Sequence, residues 1–207
     1  MTCGRDGLVL WTFESISVRE LSVNNELTET ERLRRLAIIA MVSDDELLDR
    51  LVLKGGNLLD IAYGISTRAS VDIDFSVEGD LASVVDLEER IRESLTRTFA
   101  AESLQVFDLK LRSVPPKISD EMKSFWGGYK LEFKIVTSER FAEFQNDIEQ
   151  LRRNALNVGK RGSTRFLIDI SNHEFCEAKV AKNIDGYTVF GYTPSMFVAE
   201  KLRAICQ

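Results

Sequence analysis

A chain of 207 residues, 44% hydrophobic and 29% charged, can bury one core beneath a solvated shell, which excludes whole-chain disorder and low-complexity fibres. Its 27 basic and 33 acidic residues leave a net charge of −6, so any contact with nucleic acid must use a local basic patch. A single histidine, His173, excludes multi-histidine zinc sites, and Cys3, Cys176 and Cys206 have neither disulfide-framework nor metal-ligand spacing.

No apolar run approaches the roughly 18 residues of a bilayer span, and the N-terminus lacks the pattern of a secretory signal. A cytoplasmic protein with no membrane association is expected. No repeat and no Gly/Ser/Pro linker divides the chain, so it reads as a single domain over 1–207, with a helical segment to about residue 50 and a core from about 51.

In chain order, ETERLRRLAIIAMV after Thr28 carries Leu33, Leu36, Ile39 and Ala40 at helical spacing. Ser43 followed by DDELLDRL starts a second helix. A short apolar piece, Leu51–Leu53, stops at Lys54-Gly55-Gly56, and Asn57–Tyr63 reads as a helical turn or two. VDIDFSV (Val71–Val77) alternates as a strand, Leu87–Thr98 is an amphipathic helix, and Leu104–Leu111 is a strand. YKLEFKIV (Tyr129–Val136) is a further strand, Glu139–Ala155 one long helix, Phe166–Ser171 and Thr188–Tyr192 strands, and the segment from Pro194 a helix. The pattern predicts an α+β (mixed α/β) domain with a central mixed sheet of four to six strands flanked by helices.

The chemistry concentrates in Lys54–Val77. Asp72 and Asp74 lie two apart on a strand, hence on one face, with alpha carbons about 6–7 Å apart. Neighbouring carboxylates repel unless a cation lies between them, and magnesium suits such oxygen ligands. Gly55-Gly56 before a helix lets backbone amides approach a phosphate. Asp169, between Ile168 and Ile170, must face solvent or share a cation. Taken singly, the acidic pair is also a solvated strand face and the glycine pair a turn. Their joint order suggests a metal–triphosphate site.

Gly55-Gly56, a short helix and then Arg68-x-Ser70-x-Asp72-x-Asp74 resemble the AbiEii/AbiGii toxin family of nucleotidyltransferases, within the DNA polymerase β-like superfamily. The resemblance continues through Gly127-Gly128-Tyr129 into LEFKIV, Asp169 in FLIDIS, and Ala199-Glu200-Lys201-Leu202-Arg203-Ala204, about 150 residues in all. Position 56 departs from it, being Gly where many relatives have Ser. The helical domain that commonly follows in these toxins is not expected in this chain.

The resemblance implies a nucleotidyltransferase-like fold in which Asp72, Asp74 and Asp169 hold two Mg2+ ions (Mn2+ as a substitute), Asp169 serving the ion that activates the acceptor. It places Gly55, Gly56, Lys54, Arg68 and Ser70 at the nucleotide, and Lys134 and Lys201 on the triphosphate or transition-state charge. Each of these lysines also reads as a solvated surface residue. It further implies transfer of a nucleotide from an NTP to an acceptor, an RNA such as tRNA, by the toxin of a toxin–antitoxin or abortive-infection system with its antitoxin encoded nearby. A phosphotransferase or protein-modifying nucleotidyltransferase using the same site, and a catalytically silent nucleotide-binding module, remain as alternatives. From Leu151 to Ile168 the chain carries Arg152, Arg153, Lys160, Arg161 and Arg165 and no acid, which makes these the RNA-binding candidates beside a solvated helix end.

Overall fold

The computed structural model describes residues 28–65, 72–79, 83–117, 127–159 and 162–206. Helix α1 (Glu29–Met41) opens on a capping box, in which the Thr28 hydroxyl accepts from the Glu31 N–H and the Glu31 carboxylate accepts from the Thr28 N–H. Asp44 caps α2 (Asp45–Arg50), which runs directly into strand β1 (Leu51–Lys54) and then α3 (Gly55–Ile61). Strand β2 (Ile73–Val77), the Ser83-capped helix α4 (Val84–Ala101) and the hairpin β3 (Leu104–Val114) and β4 (Gly128–Thr137) follow. Two short helices, α5 (Ser138–Phe144) and α6 (Ile148–Arg153), lead to β5 (Phe166–Ser171). The hairpin β6 (Val180–Ile184) and β7 (Tyr187–Gly191) and the helix α7 (Pro194–Cys206) complete the described chain.

The seven strands form one sheet in the order β3-β4-β5-β2-β1-β7-β6. Pairs β2/β5 and β1/β7 are parallel and the others antiparallel, so the sheet is mixed, as the alternation of elements predicts. The count exceeds the predicted four to six. Leu51–Lys54 pairs as a strand, and Val180–Ile184, too polar to stand out, adds an edge strand against β7. The predicted helix 139–155 is instead two helices, because the Asp147 carboxylate accepts from the Glu149 and Gln150 N–H groups and starts α6 afresh.

One face of the sheet is the core. Ile73, Phe75, Leu131, Phe133, Ile168 and Ile170 point there and are essentially buried, under Leu33, Ala37, Ile38 and Met41 of α1 and Leu87, Ile91, Leu95 and Phe99 of α4. Phe133 stacks on Phe166 at 5.1 Å between centroids and meets Phe99 edge-on at 6.1 Å. Strand alternation then turns Asp74, Asp169 and Lys130 to the opposite face, away from α1 and α4.

Candidate active site

Four adjacent strands place four charges in one row. In the pairing registers Lys130 of β4 is opposite Asp169 of β5, Asp169 is opposite Asp74 of β2, and Asp74 is opposite Lys54 of β1. Directly paired residues share a face, so the row reads plus, minus, minus, plus across about 14 Å of sheet. The Lys130 Nζ lies 3.3 Å from Asp169 Oδ1. Burial is the main reason the Asp74 carboxyl is pushed up to about 6; the charges of Asp169, Asp72 and Glu200 add to it and Lys54 opposes it.

Gly55 shapes this row. Its φ is +69°, and a Cβ there would overlap the Asp74 carboxylate, lying 3.1 Å from Cγ. Only glycine allows both the left-handed backbone and the close approach. Asn57, fully buried on α3, donates to the Asp72 carbonyl at 2.6 Å and accepts from Arg34 at 3.2 Å, which fixes the entry into β2. Gly128 likewise brings β4 tightly against the Ile170 carbonyl. A cavity of about 370 Å³ opens over the row, lined by Asp74, Asp169, Lys130, Tyr129 and Ser171 with Gly127 and Gly128.

Beside the cavity lies a buried polar network. The Lys54 ammonium donates to Glu174 at 2.5 Å and to Ser171 at 3.1 Å. Glu174 also accepts from Ser76, from Tyr192 at 2.8 Å and from Arg203 of α7 at 2.9 Å. Burial alone would raise the Glu174 carboxyl, but the bonds from Lys54, Ser76 and Tyr192 and the Lys54 charge hold it down at about 2. Burial pushes the Tyr192 hydroxyl upward, so it stays protonated and can donate.

The donor set fits a hard divalent cation. Asp74 and Asp169 offer only oxygens, the charges of Asp169, Asp72 and Glu200 are felt at Asp74, and among the described residues Glu200 Oε2 is buried with no hydrogen-bond partner. Among the described residues no three acidic, histidine or cysteine side chains close into a cage.

Residues 37–207 match the family model described as "Nucleotidyl transferase AbiEii toxin, Type IV TA system". The chain belongs to this family. A comparison with individual curated proteins gives no match. AbiEii proteins are nucleotidyl transferase toxins of type IV toxin–antitoxin systems, which makes an antitoxin the partner the family implies. No described helix is long and apolar enough to cross a membrane.

Within this AbiEii fold, Asp74, Asp169, Gly55 and Lys54 come together. Gly56 follows Gly55 at the start of α3. Asp72 stands exposed just before β2. Arg68, Ser70, Lys160 and Arg161 lie outside the described residues. Lys54 is not a free phosphate-facing cation, since Glu174 and Ser171 take its ammonium. Lys134 sits opposite Phe107, four residues along β4 from Lys130 and about 13 Å away, past the last β5 pairing at Phe133. The β4 lysine beside Asp169 is Lys130. Lys201 is exposed on α7, whose neighbouring Glu200 is the residue felt at Asp74. Arg152 is already paired with Asp108 at 2.9 Å and Glu149 at 2.7 Å, and Arg165 reaches Glu132 at 3.6 Å, whereas Arg153 is exposed on α6. Sequence reasoning assigned no role to Lys130, Glu174, Tyr192 or Glu200. Only Lys130 had a readable signal, its strand parity with Lys134.

Proposed function

We propose that this AbiEii protein transfers a nucleotide from an NTP to an RNA acceptor, tRNA being the acceptor the family resemblance suggests, with Asp74, Asp169 and Asp72 holding magnesium. The observation that carries the reading is the parallel β2/β5 register, which sets Asp74 and Asp169 side by side over an open cavity with Gly55 against Asp74. When bound, magnesium would screen the triphosphate and acidify the acceptor hydroxyl.

The chain's own groups do the rest. Asp169 and Asp74 orient the reacting groups from a rigid sheet, so the acceptor oxygen and the α-phosphorus meet in line. The acceptor hydroxyl gives up its proton to water, its oxygen bonds to the α-phosphorus, the bond from that phosphorus to the oxygen bridging the β-phosphate breaks, and pyrophosphate leaves with that oxygen. Lys130 compensates charge on Asp169, and Lys54 does so at Asp74 while bound to Glu174. Gly55 leaves room for the Asp74 carboxylate, and Gly56 beside it is the candidate for close approach of a phosphate to the α3 backbone. Arg153 and Arg165, with Lys160 and Arg161, are the RNA-binding candidates.

The test is incubation with each α-labelled NTP, Mg2+ and total RNA. Label should enter RNA with the wild type and not with Asp74→Asn. Label in protein, or none with any nucleotide, would refute the reading.

A further inference from the structure

A second hollow, about 120 Å³, shares no lining residue with the first and is bordered by Phe175, Met196, Ala199, Glu200 and Arg203. Two links tie it to the reacting row. Glu174, on its wall, shares the Lys54 ammonium with Ser171 of the catalytic cavity, and the charge of Glu200 is felt at Asp74.

Phe175 is 63% exposed, an unfavourable place for a large apolar ring unless something covers it. It is not a loose loop tip. The preceding residue, Glu174, is pinned by Lys54, Ser76 and Tyr192, and the following one, Cys176, is buried in the core. Two anchored neighbours hold the ring outward at a fixed place. Arg203, oriented by its 2.9 Å bond to Glu174, adds a planar guanidinium on the same wall.

The charges decide what such a wall accepts. Glu174 is already neutralised by Lys54 and Arg203, so an added phosphate would meet the Glu200 carboxylate with no free cation on the wall, whereas a flat, uncharged heterocycle gains from the ring, the guanidinium and the Met196 surface. We propose that this hollow receives the nucleobase of the NTP, stacked on Phe175 beside Arg203. This inference rests on the nucleotidyl-transfer reading of the Asp74 and Asp169 site and adds the subsite for the base. Stacking is tolerant of base identity, so Phe175 contributes affinity for all four nucleotides.

The experiment is titration calorimetry with Mg2+ and, separately, ATP, CTP, GTP, UTP and inorganic tripolyphosphate. Phe175→Ala should weaken all four nucleotides about 5- to 150-fold and leave tripolyphosphate unchanged, while Phe175→Trp keeps wild-type affinity. Phe175 is exposed, so neither variant should lose the fold, and circular dichroism checks this. Nucleotide affinities unchanged in Phe175→Ala would overturn the proposal, as would an equal loss for tripolyphosphate, or a loss confined to the RNA acceptor's KM. A wild-type protein that binds no NTP would overturn the reading of the Asp74 and Asp169 site as well.

Discussion

Replacing Gly55 by alanine probes the catalytic row with one added methyl. Two costs are separable. The first is backbone: φ at +69° is left-handed, and an alanine held there costs about 1–2 kcal/mol. The second is the clash with Asp74. With the new Cβ only 3.1 Å from Cγ and closer still to Oδ2, the carboxylate must retreat about 1 Å to recover an ordinary contact. A displacement of that size at a reacting centre costs on the order of a hundredfold in rate. Gly64→Ala is the matched control, since Gly64 has φ +63° but nothing within 4 Å of a built Cβ. Urea unfolding should show Gly64→Ala destabilised by about 1–2 kcal/mol and Gly55→Ala by at least as much, any excess coming from the Asp74 clash. Single-turnover transfer of a labelled nucleotide should fall about a hundredfold in Gly55→Ala and stay near wild type in Gly64→Ala. Full transfer by a folded Gly55→Ala protein would refute the argument that Asp74 acts from its place against that glycine.

Asp169→Asn should bind NTP with Mg2+ nearly normally by calorimetry yet lose at least about a thousandfold in transfer rate; a normal rate would make Asp169 a structural strand residue. Lys130→Met should slow transfer about tenfold or more while Lys134→Met leaves it unchanged, and the reverse ranking would contradict the β4/β5 register as the source of the site lysine. Lys54→Met strands the buried Glu174 carboxylate and should cost about 3–5 kcal/mol in urea unfolding, much of it recovered in Lys54→Met/Glu174→Leu; a loss under 0.5 kcal/mol, about what a surface change gives, would contradict the buried pair. Glu174 is held at about 2 against an ordinary 4.5, so its contribution to stability is present above pH 4.5 and lost as pH falls toward 2. Chemical denaturation across that window should show a flatter acid limb for Glu174→Gln, and parallel limbs would count against the network.

The parts of the site that the sequence reveals are those whose meaning is local. Asp72-x-Asp74 on an alternating strand and a glycine pair before a helix are short-range patterns, and Asp169 stands out because an acid between two isoleucines has few explanations. Lys130 and Lys134 share strand parity, and only the register with β5 decides between them. Glu174 and Tyr192 sit in connecting segments, and nothing about an N-H-E-F-C stretch announces a carboxylate bound by three other elements. The fold shows the same division. The apolar strands and amphipathic helices are readable, whereas polar Val180–Ile184 becomes a strand only because β7 offers it an edge. The break before Asp147 was available in principle, since Asn-Asp before an Ile-Glu-Gln run is a capping signal.

The parallel pairing of β2 with β5 also has a meaning in time. Parallel neighbours require a long crossover, and here α4, the β3/β4 hairpin, α5 and α6 all intervene between Asp74 and Asp169. Contacts so distant in sequence form late, after local helices and hairpins. During synthesis the first carboxylate leaves the ribosome long before the strand that carries the second, and the Arg203 clasp on Glu174 waits for α7. A growing chain therefore holds no assembled row of Lys54, Asp74, Lys130 and Asp169 until β5 has emerged. The topology itself delays assembly of the row until β5 has been made.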